Sequence, residues 1–194
     1  MGRYLVCVTG ASGSLYGAKT IEALIKAEHE VHAVFSTWGE SVFSMETGLS
    51  LFAWMAGVGL DADRVYSPDD MAAPPSSGSW KLDGTVIVPC SMSTIGAVAS
   101  GAGTNLVHRS AAVALKEGRR LIIVPREMPW SIVDLRNMTS LAEAGAAILP
   151  ACPAFYHRPQ TIDDLVNFVA GKILDRLGVE HGLYERWGGV AEES

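Results

Sequence analysis

The sequence predicts an α/β fold, a parallel sheet covered by helices on both faces. Three observations carry this. Short apolar runs rich in β-branched residues recur along the 194 residues. Each run ends in a loop of small residues or prolines, and each loop leads into a helical pattern. Runs that are apolar throughout belong to strands buried on both faces, and strands alternating with helices build doubly wound parallel sheets.

The elements follow in order. Tyr4–Val8 reads as the first strand, Thr9-Gly10-Ala11-Ser12-Gly13-Ser14 as a tight turn, and the residues to Lys26 as an amphipathic helix. Val31–Phe35 is the second strand, followed by Ser36-Thr37-Trp38-Gly39 and a helix toward Glu46. Pro68–Ser79, with Pro74-Pro75-Ser76-Ser77-Gly78-Ser79, is the most loop-like stretch and the one best suited to motion. Thr85–Val88 leads into Pro89-Cys90-Ser91-Met92-Ser93-Thr94, whose hydroxyls suit a helix N-cap ahead of the small residues Ile95–Ala99. A helix over Asn105–Glu117 puts Arg109 and Lys116 two turns apart on one face, for which a solvated face is the plain reading. Leu121–Val124 leads into Pro125-Arg126-Glu127-Met128-Pro129-Trp130, and Ala146–Leu149 into Pro150–Pro159. Thr161 then caps a last helix that carries Lys172, with Asp163 and Asp164 in its first turn. The whole is a flavodoxin-like or Rossmann-type doubly wound sheet in three αβα layers, one domain over residues 1–194.

Composition narrows the class. Hydrophobic residues are 48% of the chain and the mean hydropathy is +0.22, which predicts apolar surface buried between subunits. The net charge of −6 argues against nucleic acid as partner. No run reaches the length of a membrane span, and the first strand leaves no room for a signal peptide. Cys7, Cys90 and Cys152 form no C-x-x-C pair and no zinc spacing, and the five histidines are scattered. We expect a cytoplasmic protein without disulfides and without a metal.

The loops carry the functional signal. Strand-to-helix loops of an open α/β sheet gather at its carboxyl edge. Here they bring Ser12, Ser36, Ser91, Ser93, Thr94, Arg126, Glu127, Tyr156 and Arg158, a set suited to a phosphorylated ligand. The first turn predicts a phosphate on the amino end of the first helix, where unpaired N–H groups and the dipole favour an anion; the plain alternative is a turn that only lets the helix pack on its strand. The turn is not G-x-G-x-x-G, and it misses T-G-x-x-G-x-x-G by one residue. Ser36 stands where a dinucleotide enzyme places an acid for the ribose diol, and there is no Tyr-x-x-x-Lys pair, no P-loop and no G-x-S-x-G. A mononucleotide is therefore favoured over a dinucleotide. Arg126-Glu127, enclosed by prolines, is expected at the ligand edge, against the simpler reading of a surface ion pair. Cys90 reads as a buried thiol before a nucleophile. His157 reads as a hydrogen-bonding residue of its turn before a base, and the five tryptophans as core or interface residues.

Five separated motifs occur in order: Thr9-Gly10-Ala11-Ser12-Gly13, Pro89-Cys90-Ser91-Met92-x-Thr94, Leu115-Lys116-Glu117, Pro125-Arg126-Glu127-x-Pro129 and Pro153-Ala154-Phe155-Tyr156-His157-Arg158-Pro159. Together they resemble the UbiX-type flavin prenyltransferases, formerly described as aromatic-acid decarboxylases, from Arg3 to Trp187. The resemblance implies a metal-independent transfer of a dimethylallyl group from dimethylallyl phosphate to N5 and C6 of reduced FMN. The product, prenylated FMN, serves UbiD-type decarboxylases. It implies that Gly10, Ala11, Ser12, Ser36, Ser91, Met92, Ser93, Thr94 and Arg126 hold FMN. Tyr156 and Lys172 would bind the donor phosphate, and Trp187 would close the pocket. Glu46, Arg109, Lys116 and Glu127 would line the reaction site, with Glu127 in proton transfer. It also implies a homo-oligomer, typically a dodecamer, with the tail from about 178 to 194 over the site or on a neighbouring subunit.

Three departures bear on the choice between monophosphate and pyrophosphate donors. Ser93 replaces a frequent basic residue, Lys172 a frequent arginine, and Trp130-Ser131 a Leu-His pair. The chemistry agrees with the resemblance. A departing phosphate needs cations, a developing allyl cation tolerates aromatic faces, and the flavin ring needs an acid–base group. Rival readings are an FMN-dependent cysteine decarboxylase of the same superfamily, a non-catalytic flavin carrier, and an NAD-dependent reductase, which lacks its acid and its catalytic pair.

Overall fold

The computed structural model describes residues 1–189. Its sheet is wholly parallel: β1 (Arg3–Val8), β2 (Glu30–Phe35), β3 (Val65–Tyr66), β4 (Gly84–Cys90), β5 (Leu121–Pro125) and β6 (Ala147–Ile148), in the order β3-β2-β1-β4-β5-β6. The helices are α1 (Ser14–Lys26), α2 (Thr37–Thr47), α3 (Leu51–Val58), α4 (Met92–Ala99), α5 (Leu106–Lys116), α6 (Ile132–Glu143) and α7 (Ile162–Leu177).

Alternation along β1 splits the core in two. Tyr4, Val6 and Val8 enter a layer with Ile21, Leu24, Phe43, Trp54, Ile173 and Leu174, from α1, α2, α3 and α7. Leu5 and Cys7 enter the other, with Ile95, Leu106, Ala111 and Leu141 from α4, α5 and α6. The sheet is thus sandwiched between two helical layers, as the apolar runs require. The strand order reverses between β1 and β4. Their carboxyl ends flank the crevice where open sheets of this kind bind ligands.

Three elements differ from the sequence reading. β3 has only two residues, too few for a pattern. α3 is apolar on most sides, so it lacks a helical period. α6 lies behind Pro129 and Trp130 and is started by a capping box between Ser131 and Asp134. The segment read as suited to motion is held by two guanidinium hydrogen bonds, Arg109 Nε donating to the Ser76 carbonyl at 2.9 Å and Arg119 to the Gly78 carbonyl, with Arg119 also donating to the Trp80 carbonyl just beyond it.

Candidate active site

Thr9 joins the two loops of the switch point. Its buried hydroxyl donates to the Pro89 carbonyl at 2.9 Å and accepts from the Ser91 amide at 2.9 Å. A cleft of about 280 Å³ opens there, walled by Thr9, Gly10, Ser36, Ser91, Ser93 and Thr94 on the loops, and by Trp38, Asn105 and His108 opposite. Gly10 is required by close approach: a Cβ there would lie 2.5 Å from the Trp38 Cβ. Ser36 and Ser91 also cap their helices, accepting from the amides of Gly39 at 3.0 Å and Thr94 at 3.3 Å. The N-cap reading and the ligand-loop placement therefore hold together.

The expected phosphate site on α1 needs correction. The Glu46 carboxylate, reaching over from α2, accepts from the amides of Gly13 and Ser14 at 2.8 Å each, and from the Ser14 hydroxyl at 2.6 Å. The slot is filled by the protein's own anion. Burial alone would raise the Glu46 carboxyl, but the donors of Ser12, Ser14 and Gly13 bring it below its usual range. The first amides of α2 (Thr37 and Trp38) and of α4 (Met92 and Ser93) have no hydrogen-bond partner among the described residues, so two helix ends beside the cleft keep amides free for an anion.

Arg126 lies against the α1 turn, its Cγ 3.9 Å from where a Gly13 Cβ would stand. Its Nε is buried and has no hydrogen-bond partner among the described residues. An orphaned guanidinium donor beside a ligand loop fits an anionic or carbonyl-bearing ligand such as a flavin phosphate or ring edge. Glu127 follows it into solvent, one carboxylate oxygen accepting from the Met128 amide.

Relatives agree with this geometry. The flavoprotein family model matches residues 2–174. A flavin prenyltransferase UbiX of Alkalihalophilus pseudofirmus is 46% identical over 195 residues, covering 94% of each chain. The chain belongs to the UbiX-type flavin prenyltransferase family. Among solved structures, AnUbiX (PadA1) in complex with FMN and dimethylallyl pyrophosphate superposes with a TM-score of 0.93 at 43% identity, covering 97% of this chain and 98% of its own. A dodecameric FMN-dependent UbiX-like decarboxylase from Escherichia coli O157:H7 gives 0.91 at 41% identity, covering 96% and 100%.

A second group of the UbiX-type residues meets around Phe168 of α7. Tyr156 packs edge-on to Phe168 at 6.0 Å and to Trp187 at 5.4 Å. Lys172 and Cys152 line an apolar hollow of about 200 Å³ with Phe168 and Pro150. His157 stacks on Phe168 at 5.4 Å. Both its ring nitrogens are buried without hydrogen-bond partners among the described residues, so it packs rather than bonds, contrary to expectation.

Arg109 and Lys116 do share a face of α5: Arg109 is half-buried against the Ser76–Trp80 loop, whereas Lys116, beside the same loop, is exposed to solvent. Lys116 pairs with Glu117 at 3.0 Å. It precedes the amino end of β5, whereas Glu127 follows the carboxyl end. A five-residue strand spans roughly 13 Å, so one chain does not bring these two groups together.

Cys90 is fully buried, with its thiol pushed above the ordinary range by burial, so it is no nucleophile. Among the described residues no group of His, Cys, Asp or Glu is placed to hold a metal ion, and no helix is long and apolar enough to cross a membrane. The sequence reading missed Thr9, Asn105 and His108 as cleft residues. His108 is buried, its Nδ1 is 3.0 Å from the Thr104 hydroxyl, and burial lowers its pKa. Its i, i+4 spacing from Thr104 was the available signal.

Proposed function

We propose that the chain transfers a dimethylallyl group from dimethylallyl phosphate to N5 and C6 of reduced FMN. The observation that carries this reading is Arg126, whose buried Nε lacks a partner among the described residues, which lies beside the Gly10–Gly13 turn and which directly precedes Glu127. Support comes also from the 43% identical relative solved with FMN and dimethylallyl pyrophosphate.

Gly10, Ala11, Ser12, Ser36 and Ser91–Thr94 would hold FMN, with its phosphate on the free amides of Met92 and Ser93. His108 would add a neutral imidazole to the polyol side of the cleft. Bound reduced flavin supplies the nucleophilic ring. As the allylic C–O bond breaks, its electron pair goes to the phosphate, which Lys172 and Tyr156 stabilise, while Arg126 holds the flavin. Glu127 exchanges a proton at the flavin ring. Glu46 orders the α1 turn beside it. Arg109 and Lys116 would come from a neighbouring copy, in keeping with the dodecameric relative.

The chain is read as one domain with its tail, from about 178, closing the site; residues 190–194 of that tail lie outside the described residues. Three cysteines without a disulfide suit the cytoplasm, and the product would pass to a UbiD-type decarboxylase. The test is anaerobic incubation with reduced FMN and dimethylallyl phosphate, with the pyrophosphate in parallel, and a mass spectrum of the bound flavin. A flavin heavier by one dimethylallyl group is expected, and an unmodified flavin with both donors would overturn the reading.

A further inference from the structure

We infer that Asp175 is a positioning residue for the donor site, the anchor that holds residues 178–187 on α7 and sets Trp187 against Tyr156. The inference rests on the function proposed above. Asp175 lies one turn beyond Lys172 on α7. Its Oδ1 accepts from Arg186 Nη2 at 2.6 Å and pairs with His181 Nε2 at 3.2 Å. Its Oδ2 accepts from the Tyr184 hydroxyl at 2.6 Å and stands 3.8 Å from the Lys172 ammonium. Three of these four partners lie beyond the end of the helix, so a single carboxylate gathers successive side chains of the strap. Neither Arg186 nor His181 Nε2 has another acceptor among the described residues.

The strap lies close on the helix. A Cβ at Gly171 would stand 2.5 Å from the Tyr184 ring, so only glycine admits that ring. Burial alone would raise the Asp175 carboxyl, but the bonds from Arg186, Tyr184 and His181 hold it at about 2. Beyond Arg186 the strap ends with Trp187 edge-on to Tyr156, whose hydroxyl reaches the Glu185 carbonyl at 3.4 Å. Asp175 thus sets both the aromatic wall and the counter-charge of Lys172, the cation assigned to the donor phosphate. Without it the strap loses three of its ties to α7 and opens locally.

The test uses the full-length oligomer carrying Asp175→Asn. Trypsin cleavage after Arg186, followed by mass spectrometry, is expected to quicken about tenfold. KM for dimethylallyl phosphate is expected to rise about tenfold, with kcat falling by less and FMN affinity within twofold. Tyr184→Phe, which keeps the ring and loses one bond, should move both readouts in the same direction by about threefold, and it carries the test if Asp175→Asn does not fold. Unchanged cleavage and KM would overturn the inference, as would an equal loss of FMN affinity. A wild-type protein that transfers no prenyl group would overturn the proposed function instead, while the cleavage rates still decide the anchor.

Discussion

The Glu46 carboxylate closes the amino end of α1, taking the Gly13 amide at 2.8 Å. The helix ends that keep free amides beside the cleft are those of α2 and α4, and the phosphate proposed above sits on α4. Glu46→Ala should lower unfolding free energy by about 1 kcal/mol, as loss of an acidic cap does. In the same variant FMN affinity should weaken by about threefold, read by flavin fluorescence, because the turn that Glu46 orders is one wall of the site. A tightening of tenfold would place the phosphate on α1 instead.

Thr9 ties the β1 and β4 loops through one hydroxyl. Thr9→Val keeps the shape and leaves a buried Ser91 amide and Pro89 carbonyl with a poorer set of partners. A loss of about 2 kcal/mol is expected, because unsatisfied buried groups cost their full desolvation. Urea unfolding measures it, and loosening of the cleft should weaken FMN binding in step.

Glu127→Gln should bind FMN and slow product formation by about 100-fold, the usual size of general acid–base help. Lys116→Ala should be similarly poor. Co-refolded oligomers of the two variants should recover about a quarter of wild-type activity, because random mixing gives that share of sites both native groups when these come from different copies. Turnover of prenylated FMN by mass spectrometry checks both statements. No recovery would show that Lys116 serves elsewhere.

Cysteine reactivity follows burial. Cys7 is fully buried and its thiol is pushed up to about 12, Cys90 is raised further, and Cys152 is exposed. A maleimide reagent at neutral pH should modify one cysteine in the native protein and three after unfolding, counted by mass.

Glu30 at the amino edge of the sheet is held at about 2 by hydrogen bonds from Arg3 and His32, from an ordinary value of 4.5. A depressed folded-state pKa stabilises above the unfolded value and is lost as pH falls through the folded one. The stability gap between wild type and Glu30→Gln should therefore be constant above about pH 5 and close between about 4.5 and 2. Urea midpoints across that range test it.

Local pattern was enough for five of the six strands, for the caps at Ser91 and Thr161, and for the gathering of five loops on one sheet edge. Apolar runs and capping residues act over a few positions, so they can be read without a fold. Other features depend on groups distant along the chain meeting in space. Glu46 fills the α1 end from 32 positions away, and Thr9 bonds loops 80 positions apart. Arg109 holds a segment whose composition alone reads as loose. Asp175 binds its strap through bonds that no spacing rule describes. The opening turn is the clearest case. Its glycines and helix start mark a ligand loop, but the closure of the α1 end to an anion comes from the carboxylate that tertiary packing delivers to it.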